Sequence, residues 1–455
     1  RLPDPLILFV FLTASVVVFS FILSQMGVSV THPSDSRQIG VENLLSSANI
    51  RRMLTDMVKN FAAFPPLGLV LVVMIGIGIA ERGGFITTAL KKLVTMVPKF
   101  LLPATLVFAG VMSSMAADAG YVVLTPLGAF LFAGFGRHPI AGLAAAFAGV
   151  SGGFSANLLL TSLDPLLSGL STSAAQIIDP AYVVQASSNY YFMVISTFFI
   201  TIVGGLVTVK IVEPRLGVWQ GSLSSHDHEN FGVISPDEKR GLLASAFVFI
   251  LFLGLVFFLV YPENAILKDP DHGLKPFYES LVSLLMILFL LLGITYGYFA
   301  KTIRSLQDIV SMTTETMSTM GGYIVLAFVA SQFIAYFTWS NIGLVTAVSG
   351  ADFLKSIGLS GMPLIICFIL ITAMINIFIG SASAKWAIMA PVFVPMLMLM
   401  GYSPELVQAS FRIGDSVTNI ISPLLPYFPI IFAFGRKYDP KLGMGTLLSV
   451  MLPYS

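Results

Sequence analysis

The sequence predicts an all-α polytopic membrane protein with nine transmembrane helices, two opposed re-entrant hairpins, an inverted repeat and helices broken at a binding site. Three observations carry that prediction. The chain is 56% hydrophobic and 10% charged, where a soluble domain has about 25% charged residues, and its mean hydropathy is +0.89. Its apolar residues come in runs of roughly 20, enough to cross a bilayer. A pattern of Pro, Gly and Ser also occurs twice at one fixed offset.

The first copy of that pattern runs Asp118-x7-Pro126-x9-Gly136-x2-Pro139-x9-Gly149-x-Ser151. The second runs Ser383-x7-Pro391-x9-Gly401-x2-Pro404-x9-Gly414-x-Ser416. Each landmark of the second copy lies 265 residues after its partner, as Pro404 does after Pro139. Gly- and Ser-rich breaks at corresponding positions of two halves are a sequence pointer to a transporter binding site. We read residues 1–455 as a single transmembrane domain, with a first repeat over 65–172 and a second over 320–435.

In chain order, the spans fall at about 6–28, 65–82, 138–172, 188–212, 241–261, 277–299, 320–338, 403–435 and 441–455. The first is too long for a signal-peptide core and has no obvious cleavage site. The runs 138–172 and 403–435 are long and interrupted. In the outer segment 30–64, Ile50–Phe64 is expected to lie along the interface. The inner segment 83–98 is expected to be a surface helix, with Lys91, Lys92 and Lys99 near the headgroups. The chain begins at Arg1 without Met and ends at Ser455 within an apolar run, so both ends are expected to be trimmed.

Two apolar stretches, 99–136 and 361–400, are each long enough for two helices but have a polar centre. These centres are Ser113–Gly120 and Asn376–Ser383. We read both as re-entrant hairpins, because irregular backbone at membrane depth survives only against protein or a water-filled cavity. The alternative is a pair of full spans joined by an exterior turn. With the N-terminus in the cytoplasm, 15 Lys and Arg fall on the inner side and 7 on the outer, and Lys385 and Arg412 remain in the membrane. That bias follows the positive-inside rule. Five spans separate the hairpins, so they enter from opposite faces.

Ionisable groups inside a membrane cost about 2.5–3.5 kcal/mol each on insertion scales and are functional by default. Asp118 sits at the first hairpin tip. Asp164 follows the break Ser151-Gly152-Gly153-Phe154-Ser155-Ala156-Asn157, and Lys385 and Trp386 follow the second tip with its Asn376, Ser381 and Ser383. Arg412 and Asp415 precede the break that runs through Ser416, Asn419 and Pro423. Arg412 offers a planar fork for a carboxylate or sulfonyl group, and Trp386 a face for an aromatic ring. Asp164 is the candidate coupling carboxylate, since burial raises a carboxyl pKa. Ser151, Asn157, Ser416 and Asn419 supply neutral oxygens suited to Na⁺. Plainer roles exist for each: Arg412 and Asp415, three apart, neutralise each other; Lys385 snorkels or pairs with Asp118; Trp386 only packs; Asp164, before Pro165, caps a helix.

The stretches Gly149–Leu158 with Asp164-Pro165, then Gly380-Ser381-Ala382-Ser383-Ala384-Lys385-Trp386-Ala387, then Arg412-Ile413-Gly414-Asp415-Ser416 resemble the p-aminobenzoyl-glutamate transporter (AbgT) family. That family is itself similar to the ion-transporter group of dicarboxylate carriers. The resemblance implies a bacterial inner-membrane homodimer with elevator-like movement. It also implies uptake of p-aminobenzoyl-glutamate or export of sulfonamide antimetabolites, as an antiporter driven by H⁺ or as a Na⁺-coupled carrier. It marks Asp164, Asn376, Trp386, Pro404, Arg412 and Asp415 as functional positions. The expected partners are a small aromatic carboxylate or sulfonamide and the lipid bilayer.

Other function classes find little support. A net charge of +1 implies no nucleic-acid partner. The single Cys367 rules out a disulfide framework and a cysteine metal site. His226-Asp227-His228-Glu229 is a weak metal signal in a loop that reads as solvated. The five histidines all fall in loops or at ends, so an intramembrane hydrolase has no base of that kind. There is no nucleotide-binding Gly-x4-Gly-Lys-Ser/Thr loop. No cofactor is expected beyond a coupling ion, and a channel would need a continuous pore in place of two closed tips.

Overall fold

The computed structural model describes residues 5–31, 37–116, 119–219, 221, 234–269, 273–422 and 427–455. His32, Asp118, the loop 226–229, His272 and Pro423 lie outside the described residues.

The first helix, α1 (Pro5–Gln25), is apolar on all sides and largely exposed, as expected of a helix solvated by lipid. A short antiparallel pair follows, β1 (Ser29–Thr31) with β2 (Gln38–Gly40), in which Val30 faces Ile39. Then come α2 (Ser47–Ala62), capped by Ser46, α3 (Pro65–Arg82) and α4 (Phe85–Thr95). The first polar-centred stretch contains α5 (Leu102–Ser113), a 3-10 turn at Ser114–Ala116 and α6 (Ala119–Gly134). The first interrupted run contains α7 (Pro139–Gly152) and α8 (Leu163–Ala175) with irregular backbone between them. Helix α9 (Tyr190–Val207) continues through a π turn into α10 (Glu213–Leu216). Next are α11 (Pro236–Val260), α12 (Lys275–Phe299), α13 (Leu306–Thr319), α14 (Gly321–Trp339) and α15 (Ile342–Ser356). The second polar-centred stretch holds α16 (Gly361–Phe378) and α17 (Ala382–Met398), and the second interrupted run holds α18 (Pro404–Asn419) and α19 (Phe428–Tyr438). Helix α20 (Met444–Met451) ends the fold.

Among the described residues seven helical segments are long and apolar enough to cross a membrane: 6–25, 47–82, 190–216, 236–260, 275–299, 321–339 and 361–378. Helices α5, α6, α7, α17 and α20 are shorter and apolar. Two expectations change. The segment 83–98 is not a helix lying free on a surface, because Ile86, Thr88, Leu90 and Val94 of α4 are buried and Thr88 Oγ1 lies 2.7 Å from Tyr296 OH. The segment 339–360, which belongs to no span or hairpin predicted from the sequence, contains α15, whose Leu344, Val345, Ala347, Val348 and Ala351 are buried.

The 265-residue offset reappears in the elements. Helices α5 and α16 end at Ser113 and Phe378, α7 and α18 begin at Pro139 and Pro404, and α8 and α19 begin at Leu163 and Phe428. The packing repeats too. A Cβ on Gly149 would lie 2.3 Å from the Val107 carbonyl oxygen, and one on Gly414 would lie 2.6 Å from both the Ile369 carbonyl oxygen and Thr372 Cβ. Val107 and Thr372 are themselves 265 apart. Only glycine allows either helix to approach its neighbour so closely.

The chain divides into two compact units. One comprises residues 1–71, 163–189 and 318–414. In it α1 meets α14 through an edge-on contact of Phe9 with Phe333 at 5.8 Å. The Asn60 amide donates to Gln332 Oε1 at 3.0 Å, and Gln332 donates to the Met57 carbonyl. Helices α8 and α15 both pack on α17. The other unit comprises 72–162, 190–317 and 415–455. Its centre is α7, buried along its whole length and flanked by α5 and α6. In that unit α11 and α12 form an antiparallel pair around Phe252, Leu288 and Leu292, and Ser245 Oγ donates to the Leu292 carbonyl.

Candidate transport site

Asp164 lies in the first turn of α8, where the N-terminal dipole favours an anion. Arg412 lies in α18 of the same unit. Its Nη2 donates to Asp164 Oδ1 at 2.6 Å, and the two side chains are 1% and 0% exposed. This is a charge-assisted bond between fully desolvated groups. Removing one partner of such a pair leaves an uncompensated buried charge and is strongly destabilising.

A neutral chain of hydrogen bonds runs beside the ion pair, and its direction follows from the donors available. The Trp386 indole N–H can only donate; it lies 3.0 Å from Ser171 Oγ and 3.3 Å from the Leu167 carbonyl. Ser171 Oγ donates its own proton to Gln408 Oε1 at 2.6 Å. Gln408 Nε2 donates to Asn189 Oδ1, and Asn189 Nδ2 to the Glu405 carbonyl, both at 2.9 Å. Ser171, Gln408, Asn189 and Trp386 are all buried. Sequence reasoning passed over Gln408, Ser171 and Asn189. The available signal was the spacing of Gln408, Arg412, Asp415 and Asn419, which places four polar residues on one face of an amphipathic helix.

Trp386 is fully buried, with its ring 4.5 Å from that of Phe411 at 36°. The open aromatic face expected from the sequence is therefore covered by Phe411. Lys385 is also fully buried and does not snorkel; its Nζ donates to Asn376 Oδ1 and lies 5.5 Å from the Phe411 ring centroid. Asn376 itself is buried at the C-terminal end of α16. Ser381 caps α17, accepting from the Ala384 N–H at 3.4 Å, and its hydroxyl lies 3.1 Å from that of Ser383. Pro404, buried, opens α18. Next to it Glu405 accepts from Tyr182 OH at 3.0 Å. Burial, followed by that bond, pushes the Tyr182 phenol up to about 12.

The remaining candidates belong to the other unit. Asn157 turns its amide N–H group to the Val111 and Met112 carbonyls and to Ser114 Oγ, at 3.3, 3.4 and 3.1 Å. Its oxygen accepts from the Leu159 N–H at 3.0 Å. It thus satisfies terminal carbonyls of α5 that helix geometry leaves open. Asn419 Nδ2 lies 3.5 Å from the Ser151 carbonyl and 3.5 Å from Asp415 Oδ2. Ser151 Oγ is buried and has no hydrogen-bond partner among the described residues. Ser416 and Asp415 are buried as well. Ser151, Asp415 and Asn419 are brought together, whereas Asn157 joins Ser114. Among the described residues no group of three His, Cys, Asp or Glu is placed to hold a metal ion.

A profile of the AbgT transporter family matches residues 1–455, the whole chain. The protein belongs to the AbgT family. It is 40% identical over 457 residues to the p-aminobenzoyl-glutamate transport protein of Escherichia coli K12, covering 100% of this chain and 89% of that one. Two solved AbgT structures are similar throughout. One is the YdaH transporter of Alcanivorax borkumensis, described as having an unusual topology, with 43% identity, a TM-score of 0.94, and 99% of this chain and 95% of that one covered. The other is MtrF of Neisseria gonorrhoeae, with 48% identity, a TM-score of 0.95 and coverages of 100% and 92%. MtrF is described as illuminating a class of antimetabolite efflux pumps. Like its relatives, this AbgT protein is a multi-pass membrane transporter and not an enzyme.

Proposed function

We propose that this AbgT protein is an ion-coupled secondary transporter of p-aminobenzoyl compounds, exporting sulfonamide-type antimetabolites by a proton-driven antiport. The observation that carries this reading is the buried Arg412–Asp164 pair. The carboxylate or sulfonyl end of a substrate competes with Asp164 for the guanidinium, whose fork suits either group. Antiport requires substrate and proton to be carried in turn. Asp164 gives up its proton before the substrate is held and takes one up from the opposite side after the substrate leaves, so that a proton enters as a substrate goes out. The substrate ring reaches Trp386 only after Phe411 turns aside, and Asn376, Ser381, Ser383 and Pro404 are the remaining polar or shaping positions of this unit's binding region; Asp415 and Asn157 are candidate substrate positions carried by the other unit.

The reading extends to architecture. The chain has nine spans and two hairpins entering from opposite faces, one hairpin in each of the inverted repeats 65–172 and 320–435, and forms a homodimer in the bacterial inner membrane with the N-terminus cytoplasmic. The repeated boundaries and the matching glycine contacts at Gly149 and Gly414 support the repeat.

A second reading is Na⁺-coupled uptake. It is favoured by the buried Ser151 hydroxyl, which has no partner among the described residues and belongs to the residue whose carbonyl Asn419 meets. Ser151, Ser416 and Asn419, with Asn157, would supply neutral oxygens to the ion. Transport by purified protein in liposomes, with H⁺ and Na⁺ gradients imposed separately, tests the choice. Substrate accumulation that follows the pH gradient and ignores Na⁺ is the expected result; accumulation that follows Na⁺ alone would transfer the assignment to the oxygen cluster.

A further inference from the structure

At the end where α11 begins and α12 finishes, the structure has a cavity of about 380 Å³ lined by Asp237, Arg240, Tyr298, Phe299, Lys301 and Arg304, among others. Three cations thus face a single carboxylate. Lys301 Nζ and Asp237 Oδ2 form an ion pair at 2.6 Å. Arg240 Nη1 stands off at 3.7 Å from the other oxygen of Asp237, and its side chain is 74% exposed. Arg304, exposed, donates through Nε to the Lys301 carbonyl at 3.2 Å, a bond that does not use its two terminal nitrogens. The nearby acids are turned to other tasks. Glu238 accepts from the Ser235 N–H in the α11 cap. Asp308 accepts from the backbone N–H groups of Arg304 and Ser305. Lys301 has φ +63, a left-handed conformation that normally selects glycine. It is the residue just past the end of α12 in a helix-ending turn, with the Thr302 N–H donating to the Gly297 carbonyl and the Lys301 N–H to the Tyr298 carbonyl.

Beneath the cavity runs an apolar track. Leu243, Phe247 and Ile250 are 65%, 63% and 65% exposed. They follow Arg240 by three, seven and ten residues, so all lie on its face of α11. Tyr298 and Phe299, also exposed, sit at the finishing end of α12, where aromatic residues mark a membrane interface. A free phosphate would need only the cations. The combination of guanidinium groups at a helix-pair end with an apolar strip leading away from them fits a headgroup and its acyl chain.

We propose that this cavity is a binding site for an anionic phospholipid, with the phosphate held by Arg240 and Arg304, Lys301 fixed between them by Asp237, and an acyl chain along Leu243, Phe247 and Ile250. A polybasic contact with an anionic headgroup contributes about 1 kcal/mol per Lys or Arg, so losing two cations lowers retention by roughly tenfold or more. The test uses the full chain in detergent, exposed to equal amounts of phosphatidylglycerol and phosphatidylcholine with the same acyl chains, and reads bound lipid by native mass spectrometry. The wild-type protein retains phosphatidylglycerol selectively. The Arg240→Gln/Arg304→Gln protein loses that selectivity with its thermal midpoint unchanged, because both residues are on the surface. An Arg51→Gln/Lys59→Gln protein, which removes exposed cations of α2 instead, keeps it. Absence of selectivity in the wild type, retention of it in Arg240→Gln/Arg304→Gln, or an equal loss in the α2 control would each overturn the site. Displacement of the lipid by millimolar inorganic phosphate would reassign the cavity to a free anion.

Discussion

The Asp164–Arg412 pair invites a double-mutant cycle. Replacing Asp164 by Asn keeps the shape and one acceptor oxygen for Arg412 Nη2 but removes the counter-charge from a guanidinium that is 1% exposed. Breaking a buried pair from one side costs about 3–5 kcal/mol. The retained amide acceptor restores about 1 kcal/mol of hydrogen bonding, which leaves a loss of about 2–4 kcal/mol. Arg412→Gln alone leaves the Asp164 carboxylate stranded and loses a similar amount. The double variant removes both members of the pair, so its loss falls well short of the sum, with a coupling of about 2 kcal/mol or more. Unfolding of the four proteins in graded mixtures of detergent and SDS measures each term. Additive losses, with a coupling below about 0.5 kcal/mol, would show that the two groups do not stabilise each other and would remove the basis for the exchange scheme.

Three further outcomes follow from the same geometry. Gln408→Met keeps the side-chain volume but strands the Ser171 proton and Asn189 Oδ1 in a buried place, costing about 2 kcal/mol and shifting Trp386 emission in a Trp219→Phe/Trp339→Phe background; an unchanged spectrum would mean the chain does not hold the indole. Gly149→Ala and Gly414→Ala each drive a methyl against backbone at 2.3 and 2.6 Å, and overpacking of this kind costs about 1–3 kcal/mol, visible as a lowered thermal midpoint; a neutral result at either position would deny the close helix approach. The Tyr182 phenol, pushed up to about 12 chiefly by burial and then by Glu405, keeps its proton when unfolded tyrosines have lost theirs at about 10. Its contribution to stability is therefore complete below pH 10 and lost as pH rises through 12, and ultraviolet titration of wild type minus Tyr182→Phe should show one late-ionising tyrosine.

Much of the architecture could be read in advance because a bilayer imposes length and polarity on any crossing segment. The runs that became α1, α3, α9, α11, α12 and α14 were found by apolar length, and the break after α7 by its Gly, Ser and Asn; the second break, read from Asp415 through Pro423, is corrected, because α18 stays helical through Ser416 to Asn419. Helix α15 escaped because Thr346, Ser349, Asp352 and Lys355 interrupt its apolar sequence and conceal a helix whose other face is buried. The buried face of α4 escaped for the same reason, since Lys91 and Lys92 dominate a hydropathy window.

The candidate site was legible as a set of costly residues but not as a set of pairs. Arg412 had an acidic neighbour three residues away in Asp415, and nothing local pointed to Asp164, 248 residues distant, as a partner. The Ser171–Gln408 bond spans 237 residues and joins two residue types that a sequence places anywhere. Trp386 illustrates a different limit. Its chemistry suggested an aromatic platform, but only the packing of Phe411 and the use of its N–H by Ser171 and Leu167 reveal a buried, anchored ring.

The most direct test of the coupling role is transport by Asp164→Asn protein in liposomes, assayed both as exchange of labelled substrate and as accumulation against a proton gradient. The Asn side chain keeps the form of the site but cannot take up and release a proton. The account predicts that exchange continues while proton-driven accumulation is lost. Accumulation by the Asn variant at the normal rate would contradict it and make the oxygens around Ser151 and Asn419 the better candidates for coupling.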